Sequence, residues 1–167
     1  ISEPAYCPLD EKFSGKFCHA LKFFASMNPD IIMLDDDFRL NLRSYYLGCF
    51  CELHLAKYYE RIGEEIPREK LEELIFSGGK NKYRTEFMRL SAETLLDFSK
   101  KLRATVDEVN PKIRLGACTC HDNWDFCGTD ALENCRSGVP QQGEEESDGL
   151  VWLTGEDPEF SLLVPED

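Results

Sequence analysis

Apolar side chains recur every three or four residues in four stretches of the chain, and short, mostly apolar segments separate them. The periodic stretches have the spacing of amphipathic helices and predict helices over residues 12–27, 52–62, 68–76 and 82–109. The intervening segments predict strands at residues 1–4, 31–34 and 112–118. The strand at 31–34 contains no polar residue, which is typical of a strand buried on both faces. In the second helix we expect Leu53, Ala56 and either Tyr58 or Tyr59 to face inward.

The order of these elements is strand, helix, strand, helices, strand, which predicts an α/β fold. Strands separated by helices form right-handed βαβ units and a parallel sheet. Two of the helices end in the same way, at an Asn-Pro dipeptide that a strand follows (residues 28–29 and 110–111). The 167 residues fall short of the roughly 250 of a complete (β/α)8 barrel, so the pattern predicts a partial barrel.

Charge divides the chain into two regions. Of the 32 acidic residues, 23 lie in residues 1–136 with all 19 basic ones, and nine lie in residues 137–167 with no basic one. We therefore expect a partial (β/α) barrel segment over 1–136 and an acidic linker and tail over 137–167. Apolar runs at 150–153 and 160–164 predict either a hairpin or an acidic tail with apolar anchors.

The overall charge and the cysteine content exclude several classes of partner. A net charge of −13 argues against binding nucleic acid, because an acidic surface repels phosphates. No apolar run approaches the roughly 20 residues that span a bilayer, so we expect no membrane partner. The eight cysteines include two C-x-C pairs, a spacing that strains a disulfide. We therefore expect reduced thiols and a cytoplasmic location.

Acidic side chains follow each predicted strand. They are Glu3 after the first strand, residues 35–37 after the second, and Asp122 and Asp125 after the third. The carboxyl ends of parallel strands share the edge at which α/β sheets bind ligands, so we expect these carboxylates to converge. The alternative is that the aspartate triplet is only a solvated turn with a helix N-cap.

Converging carboxylates suit the hydrolysis of glycosidic bonds, in which one acid protonates the leaving oxygen and another attacks or activates water. We predict that the catalytic residues are Asp36, Asp37 and Asp122. The predicted substrate-binding residues are Glu3, Asp35, Arg39, Trp124 and Asp125. The rings of Tyr6 and Phe38 are further candidates for stacking on a sugar. We expect this segment to be inactive by itself, because about half of a barrel rim is missing.

A second interpretation places a metal ion at residues 49–54, Cys-Phe-Cys-Glu-Leu-His. Cys49, Cys51 and His54 supply three ligands of a tetrahedral zinc ion, and the fourth would come from Cys118, Cys120, His121 or Cys127, of which we choose Cys120. The chain would then be a non-catalytic binding or scaffolding module. Otherwise we expect no cofactor. A third interpretation is a hydrolase that holds Mg²⁺ or Ca²⁺ on the aspartates of residues 35–37, since these cations prefer oxygen ligands.

Residues 29–39 and 48–51 resemble a barrel segment of bacterial glycoside-hydrolase-like proteins. In these proteins a strand ends in D-D-x-R and a C-x-C-x2-[C/H] loop begins the next helix. The resemblance extends loosely to the β-galactosidase type and covers roughly residues 1–133. It implies a carbohydrate-active barrel that binds a carbohydrate substrate, with Asp36, Asp37 and Arg39 lining the pocket.

The chain departs from that family in two respects. No Asn-Glu motif of the β-galactosidase type is present, so neither a nucleophile nor an acid/base residue carries over. About three strands leave an open sheet edge, and we expect a homo-oligomer, a longer chain or the tail to cover it. Residues 137–167 match nothing in such barrels.

Overall fold

The first helix, α1 (Glu11–Ser26), begins and ends within a residue of its predicted limits in the computed structural model, which describes residues 6–34, 38–40, 48–77, 79–118 and 150–153. Asp10 is the N-cap, and its carboxylate accepts a hydrogen bond from the Lys12 N–H at 2.8 Å. This bond satisfies one of the free donors of the first turn. After α1 the chain reverses at Asn28, whose φ is 55°, and at Pro29.

The sheet has three strands in the order β1-β2-β3. β1 (Ile31–Leu34) and β2 (Arg114–Cys118) are parallel, with Ile31 opposite Arg114 and Leu34 opposite Ala117. β3 (Leu150–Trp152) pairs antiparallel with β2. The parallel pair confirms the predicted α/β class, in a chain whose described residues are mostly helical. The other half of the predicted hairpin, residues 160–164, lies outside the described residues.

Three further helices lie where the sequence predicts helices: α2 (Glu52–Ile62), α3 (Arg68–Phe76) and α4 (Lys82–Asp107). The predicted first strand, residues 1–4, lies outside the described residues. α2 ends at Gly63, whose φ of 75° is the left-handed conformation that glycine adopts without a steric penalty. α4 begins at Asn81, whose side chain accepts a hydrogen bond from the Arg84 N–H at 3.0 Å. No helix within the described ranges is long and apolar enough to cross a membrane.

Helix α4 takes part in two separate apolar clusters. The first core lies between α1, α4 and one face of the sheet and consists of Leu21, Ala25, Phe38, Leu40, Leu95, Phe98, Leu102, Val106, Ile113, Leu115, Ala117 and Leu153. The second core joins α2 and α3 to the beginning of α4 and consists of Tyr58, Leu71, Ile75, Phe87 and Leu90. α4 therefore connects the sheet to the small helical subassembly formed by α2 and α3.

Two expectations about burial are wrong. In α2 the burial of Tyr58 is confirmed, but Leu53 is 46% exposed, Ala56 is also exposed, and His54 is buried instead. The face of α2 that is buried against α4 is displaced by one residue from the face that the apolar pattern predicted. In β1, Met33 is 39% exposed, because among the described elements α1 and α4 cover only the sheet face to which Ile32 and Leu34 contribute.

Candidate metal centre

Four potential metal ligands from two separate parts of the chain come together at the start of α2. Cys7 precedes α1, Cys49 lies in the segment that leads into α2, Cys51 is the N-cap of α2, and His54 is in its first turn. Their ligand atoms all lie within 4.8 Å of one another. Cys51 and His54 share a side of the helix because residues three apart are neighbours on a helical surface.

The distances match the size of a tetrahedral site. The Cys7 Sγ atom lies 3.2 Å from the Nδ1 atom of His54, and the Cys51 Sγ atom lies 3.6 Å from the same nitrogen. Zinc bonds of about 2.3 Å to sulfur and 2.0 Å to nitrogen place tetrahedral ligand atoms about 3.5–3.8 Å apart. Since all four ligand atoms lie within 4.8 Å of one another, shifts of up to about 1 Å would bring them to the spacing of a zinc site.

The second ring nitrogen of His54 is held from behind by α4. Its Nε2 atom lies 3.2 Å from the hydroxyl oxygen of Thr94, and that hydroxyl donates a hydrogen bond to the carbonyl of Leu90 at 2.7 Å. With the Thr94 proton directed to Leu90, the Thr94 oxygen is left as an acceptor for a proton on Nε2. In that tautomer Nδ1 has its lone pair directed toward Cys7 and Cys51, as a metal ligand requires.

A hydrogen bond links the thiols of Cys7 and Cys49. A hydrogen bond to Cys49, together with partial burial, raises the pKa of Cys7 to about 12. The same hydrogen bond lowers the pKa of Cys49 below its ordinary value. Cys49 is therefore the thiol that ionises first, and Cys7 is the donor that stabilises it. A zinc ion would replace the proton of this hydrogen bond, because its cysteine ligands are thiolates.

The segment that carries the thiols lies between the two cores. Cys49 packs against the first core, and Phe50 packs against the second. The Phe50 ring stacks on Phe87 with centroids 4.9 Å apart, and the guanidinium of Arg68 lies 5.5 Å from the Phe50 ring centroid. The position of Cys49 and Cys51 is thus held by the aromatic packing of Phe50 between them and by the contact of Cys49 with the first core.

The candidate site belongs to the carboxyl end of the parallel strands. α1 runs toward the beginning of β1. Cys7 precedes the first residue of α1 and therefore lies at the opposite end of the sheet, where β1 ends. The turns at Asn28 and Asn110 mark the amino ends of β1 and β2, where the two side chains are hydrogen-bonded at 2.6 Å. Leu34 and Cys118 end the two strands at the other end, with Leu34 opposite Ala117.

The structure brings together three of the predicted zinc ligands, Cys49, Cys51 and His54, and adds Cys7. Cys7 was not among the predicted ligands, although it follows the predicted first strand, whose carboxyl end is expected at the same sheet edge. The predicted fourth ligand, Cys120, lies beyond the described residues. So do the other candidates Glu3, Asp35, Asp36, Asp37, Asp122, Trp124 and Asp125.

The remaining candidates are described. Arg39 is half-buried. Phe38, considered as a ring for stacking on a sugar, is instead buried in the first core and stacks on Phe98 with centroids 5.9 Å apart. Tyr6 is 67% exposed and stacks on Phe13.

Comparison of the chain with known protein families, with curated proteins and with solved structures finds no match. Any assignment of function therefore depends on the residues of the chain itself.

Proposed function

We propose that this protein is a zinc-stabilised binding or scaffolding module, in which Cys7, Cys49, Cys51 and His54 hold one zinc ion. The observation that carries the proposal is the convergence of three thiols and one imidazole within 4.8 Å, from residue 7 and from the segment 49–54. Unrelated structural roles rarely require three cysteines and a histidine at one point, whereas a Cys₃His set is a standard structural zinc site.

The donor set favours zinc over a hard cation and a structural role over a catalytic one. Sulfur and imidazole ligands select zinc among the common divalent ions, whereas Mg²⁺ and Ca²⁺ prefer oxygen. Four protein ligands complete the tetrahedron, so no position is left for a reacting water. The ion would join the segment before α1 to the start of α2. It would thereby hold the loops at the carboxyl-end edge of the sheet in place.

A reducing location, such as the cytoplasm, suits this role. The four cysteines whose side chains the structure describes, Cys7, Cys18, Cys49 and Cys51, are all free thiols. Zinc binding requires thiolates, and a disulfide between any two of the three cluster cysteines would remove two ligands at once.

Metal analysis of the purified chain tests the proposal. The chain is prepared under reducing conditions, loaded with zinc, passed through a desalting column and analysed by mass spectrometry for bound metal. We expect close to one zinc per chain, and a loss of most of it in Cys7→Ser and in Cys51→Ser. Cys18→Ser is the matched control, because Cys18 is a half-buried free thiol outside the cluster.

The same experiment decides the identity of the fourth ligand. If Cys120→Ser loses zinc and Cys7→Ser retains it, the site is assembled as the sequence alone predicted and not as the geometry indicates. A wild-type chain that retains no zinc would overturn the proposal. Equal zinc content in Cys7→Ser, Cys51→Ser and Cys18→Ser would overturn it as well.

A second candidate is a segment of a carbohydrate-active hydrolase built on a partial (β/α)8 barrel. Its support is the parallel pairing of β1 and β2, since the chain enters residues 35–37 and residues 119–125 at neighbouring points of the same edge. The acidic residues in those segments suit glycosidic-bond cleavage. The zinc site would then brace the rim of the substrate pocket.

Calorimetric titration with short oligosaccharides tests this second candidate without requiring turnover. Binding that is abolished by Asp36→Asn and Asp37→Asn, while the circular dichroism spectrum is unchanged, is the expected result. Zinc content close to one with no glycan binding supports the scaffolding module alone. Glycan binding that is unaffected by both substitutions would exclude these carboxylates from the site.

A further inference from the structure

We infer that Thr94 is the positioning residue that makes Nδ1, and not Nε2, the metal-binding nitrogen of His54. This inference rests on the zinc site proposed above and assigns a function to a residue of α4 that supplies no ligand. The inference concerns two successive hydrogen bonds. The His54 imidazole donates to the Thr94 hydroxyl, and that hydroxyl donates to a backbone carbonyl of α4. We call these two bonds the relay.

The relay is buried and has a fixed direction. His54 is 3% exposed and Thr94 is 4% exposed, so water is largely excluded from the contact between them. The Thr94 hydroxyl has one proton, which the Leu90 carbonyl accepts at 2.7 Å. The oxygen can therefore only accept from Nε2, which lies 3.2 Å away. In a neutral imidazole with a proton on Nε2, Nδ1 is the nitrogen that carries a free lone pair.

The helix prepares this arrangement before any metal arrives. A threonine hydroxyl commonly donates to the carbonyl four residues earlier in a helix, so α4 itself orients the Thr94 oxygen. α4 is in turn fixed by the two cores, with Leu90 in the second core and Leu95 in the first. The imidazole is consequently presented to the thiols by a rigid element and not by its own flexible segment.

Loss of the relay should weaken the site without removing a ligand. Valine has the shape of threonine but no acceptor, so Thr94→Val leaves a buried N–H without its partner and frees the ring to rotate. Residues that support a metal-binding histidine in this way typically change metal affinity by about 10–100-fold. Serine retains the hydroxyl, and Thr94→Ser should restore affinity to within a few-fold of the wild-type value.

The chain supplies a matched control on the same helix. Thr105 is also buried, and its hydroxyl donates to the Lys101 carbonyl at 2.7 Å in the same backbone pattern. It belongs to the part of α4 that packs in the first core, more than two turns from Thr94. Thr105→Val therefore reproduces the loss of a buried hydroxyl without touching His54.

The experiment measures zinc affinity by competition with a chromophoric chelator for the wild type, Thr94→Val, Thr94→Ser and Thr105→Val. Nitrogen-15 NMR of the cadmium-loaded wild-type chain then identifies the metal-bound ring nitrogen of His54. We expect weaker binding only in Thr94→Val, and cadmium on Nδ1. Cadmium on Nε2 would overturn the inference even if Thr94→Val fails to fold, because the NMR measurement uses the wild-type protein.

The possible outcomes separate this inference from the proposed function. A wild-type chain that binds no zinc overturns the metal site and the role of Thr94 with it. A wild-type chain that binds zinc while Thr94→Val and Thr105→Val behave alike overturns the role of Thr94 and leaves the metal site intact. Cadmium bound to the Nε2 atom of His54 would likewise overturn the role of Thr94 and leave the metal site intact. Weak binding in Thr94→Val that Thr94→Ser does not restore would attribute the effect to packing and also overturn the inference.

Discussion

The side-chain amide of Asn110 donates a hydrogen bond to the Oδ1 atom of Asn28 at 2.6 Å, across 82 residues of sequence. The bond joins the two Asn-Pro turns that lead from α1 into β1 and from α4 into β2. Beside it, the Arg114 N–H donates to the carbonyl of Asp30 at 3.0 Å. These contacts align the beginnings of the two parallel strands, and this alignment sets which residues leave the sheet together at its other end.

Substitutions of Asn28 should separate the effect of its backbone from that of its side chain. Its φ of 55° lies in the left-handed region, which costs most non-glycine residues roughly 1–2 kcal/mol. We expect Asn28→Ala to lower the free energy of unfolding by about 1–2 kcal/mol. Asn28→Gly should cost less, because glycine adopts this conformation freely. Urea denaturation measures both, with Asn110→Ala as the control that removes only the amide contact. Equal losses in Asn28→Gly and Asn28→Ala would contradict the conformational argument.

The first core should be sensitive to cavities at its centre. Leu102 is completely buried, between the sheet and α1. We expect Leu102→Ala to reduce the free energy of unfolding by about 2–5 kcal/mol, the usual cost of removing a buried leucine side chain. Val109→Ala is the control, since Val109 is 40% exposed and its change should stay within about 0.5 kcal/mol. Similar melting temperatures for the two variants would show that α4 does not pack as described.

Local signals explain why the limits of the elements were predictable from the sequence. Asp10 begins α1, Asn28 and Pro29 end it, and Gly63 ends α2, and each of these acts through the backbone of its immediate neighbours. Such effects of one residue on the backbone beside it can be predicted from the sequence alone. For that reason the predicted and observed limits agree within one or two residues.

Tertiary packing explains what the sequence did not predict. An apolar stripe assigned Leu53 to the interior of α2, but His54 is buried instead, because it contacts Thr94 and the cysteines. A polar residue in a buried position breaks the pattern at a functional site, where such exceptions are expected. Cys7 is 47 residues from His54. Only the geometry of the strand ends could have connected the two.

Acid should remove a small contribution of Glu64 to stability. Lys82 donates to its carboxylate at 2.8 Å and Tyr83 at 2.9 Å, and these two hydrogen bonds lower the pKa of Glu64 below its ordinary value. A lowered pKa in the folded state means that the unfolded state binds more protons between the two pKa values. The stabilisation is therefore present above the unfolded value of about 4.3 and is lost as the pH falls through the folded value.

The difference in unfolding free energy between the wild type and Glu64→Gln should accordingly be small at pH 7 and disappear once the pH has fallen below the lowered folded pKa of Glu64. It is small because this exposed carboxylate is screened by solvent. Urea denaturation at several pH values measures it, with Glu65→Gln as the control for a charge change at the adjacent exposed position. A difference that grows as the pH falls would show that the ionised form of Glu64 does not stabilise the fold.

Zinc removal should destabilise the protein first where the two cores meet. An ion bound only to the folded state at a hundred times its dissociation constant adds about 2.7 kcal/mol to the free energy of unfolding. Because Cys49 contacts the first core and Phe50 the second, a chelator should increase amide hydrogen exchange in residues 48–54 before it affects the surroundings of Leu102. Mass spectrometry of exchange with and without chelator measures this order.

Cys18→Ser should respond like the wild type, whereas Cys51→Ser should show rapid exchange in residues 48–54 with and without chelator. Exchange that is the same in the wild type with and without chelator would mean that the four side chains hold no ion that stabilises the fold.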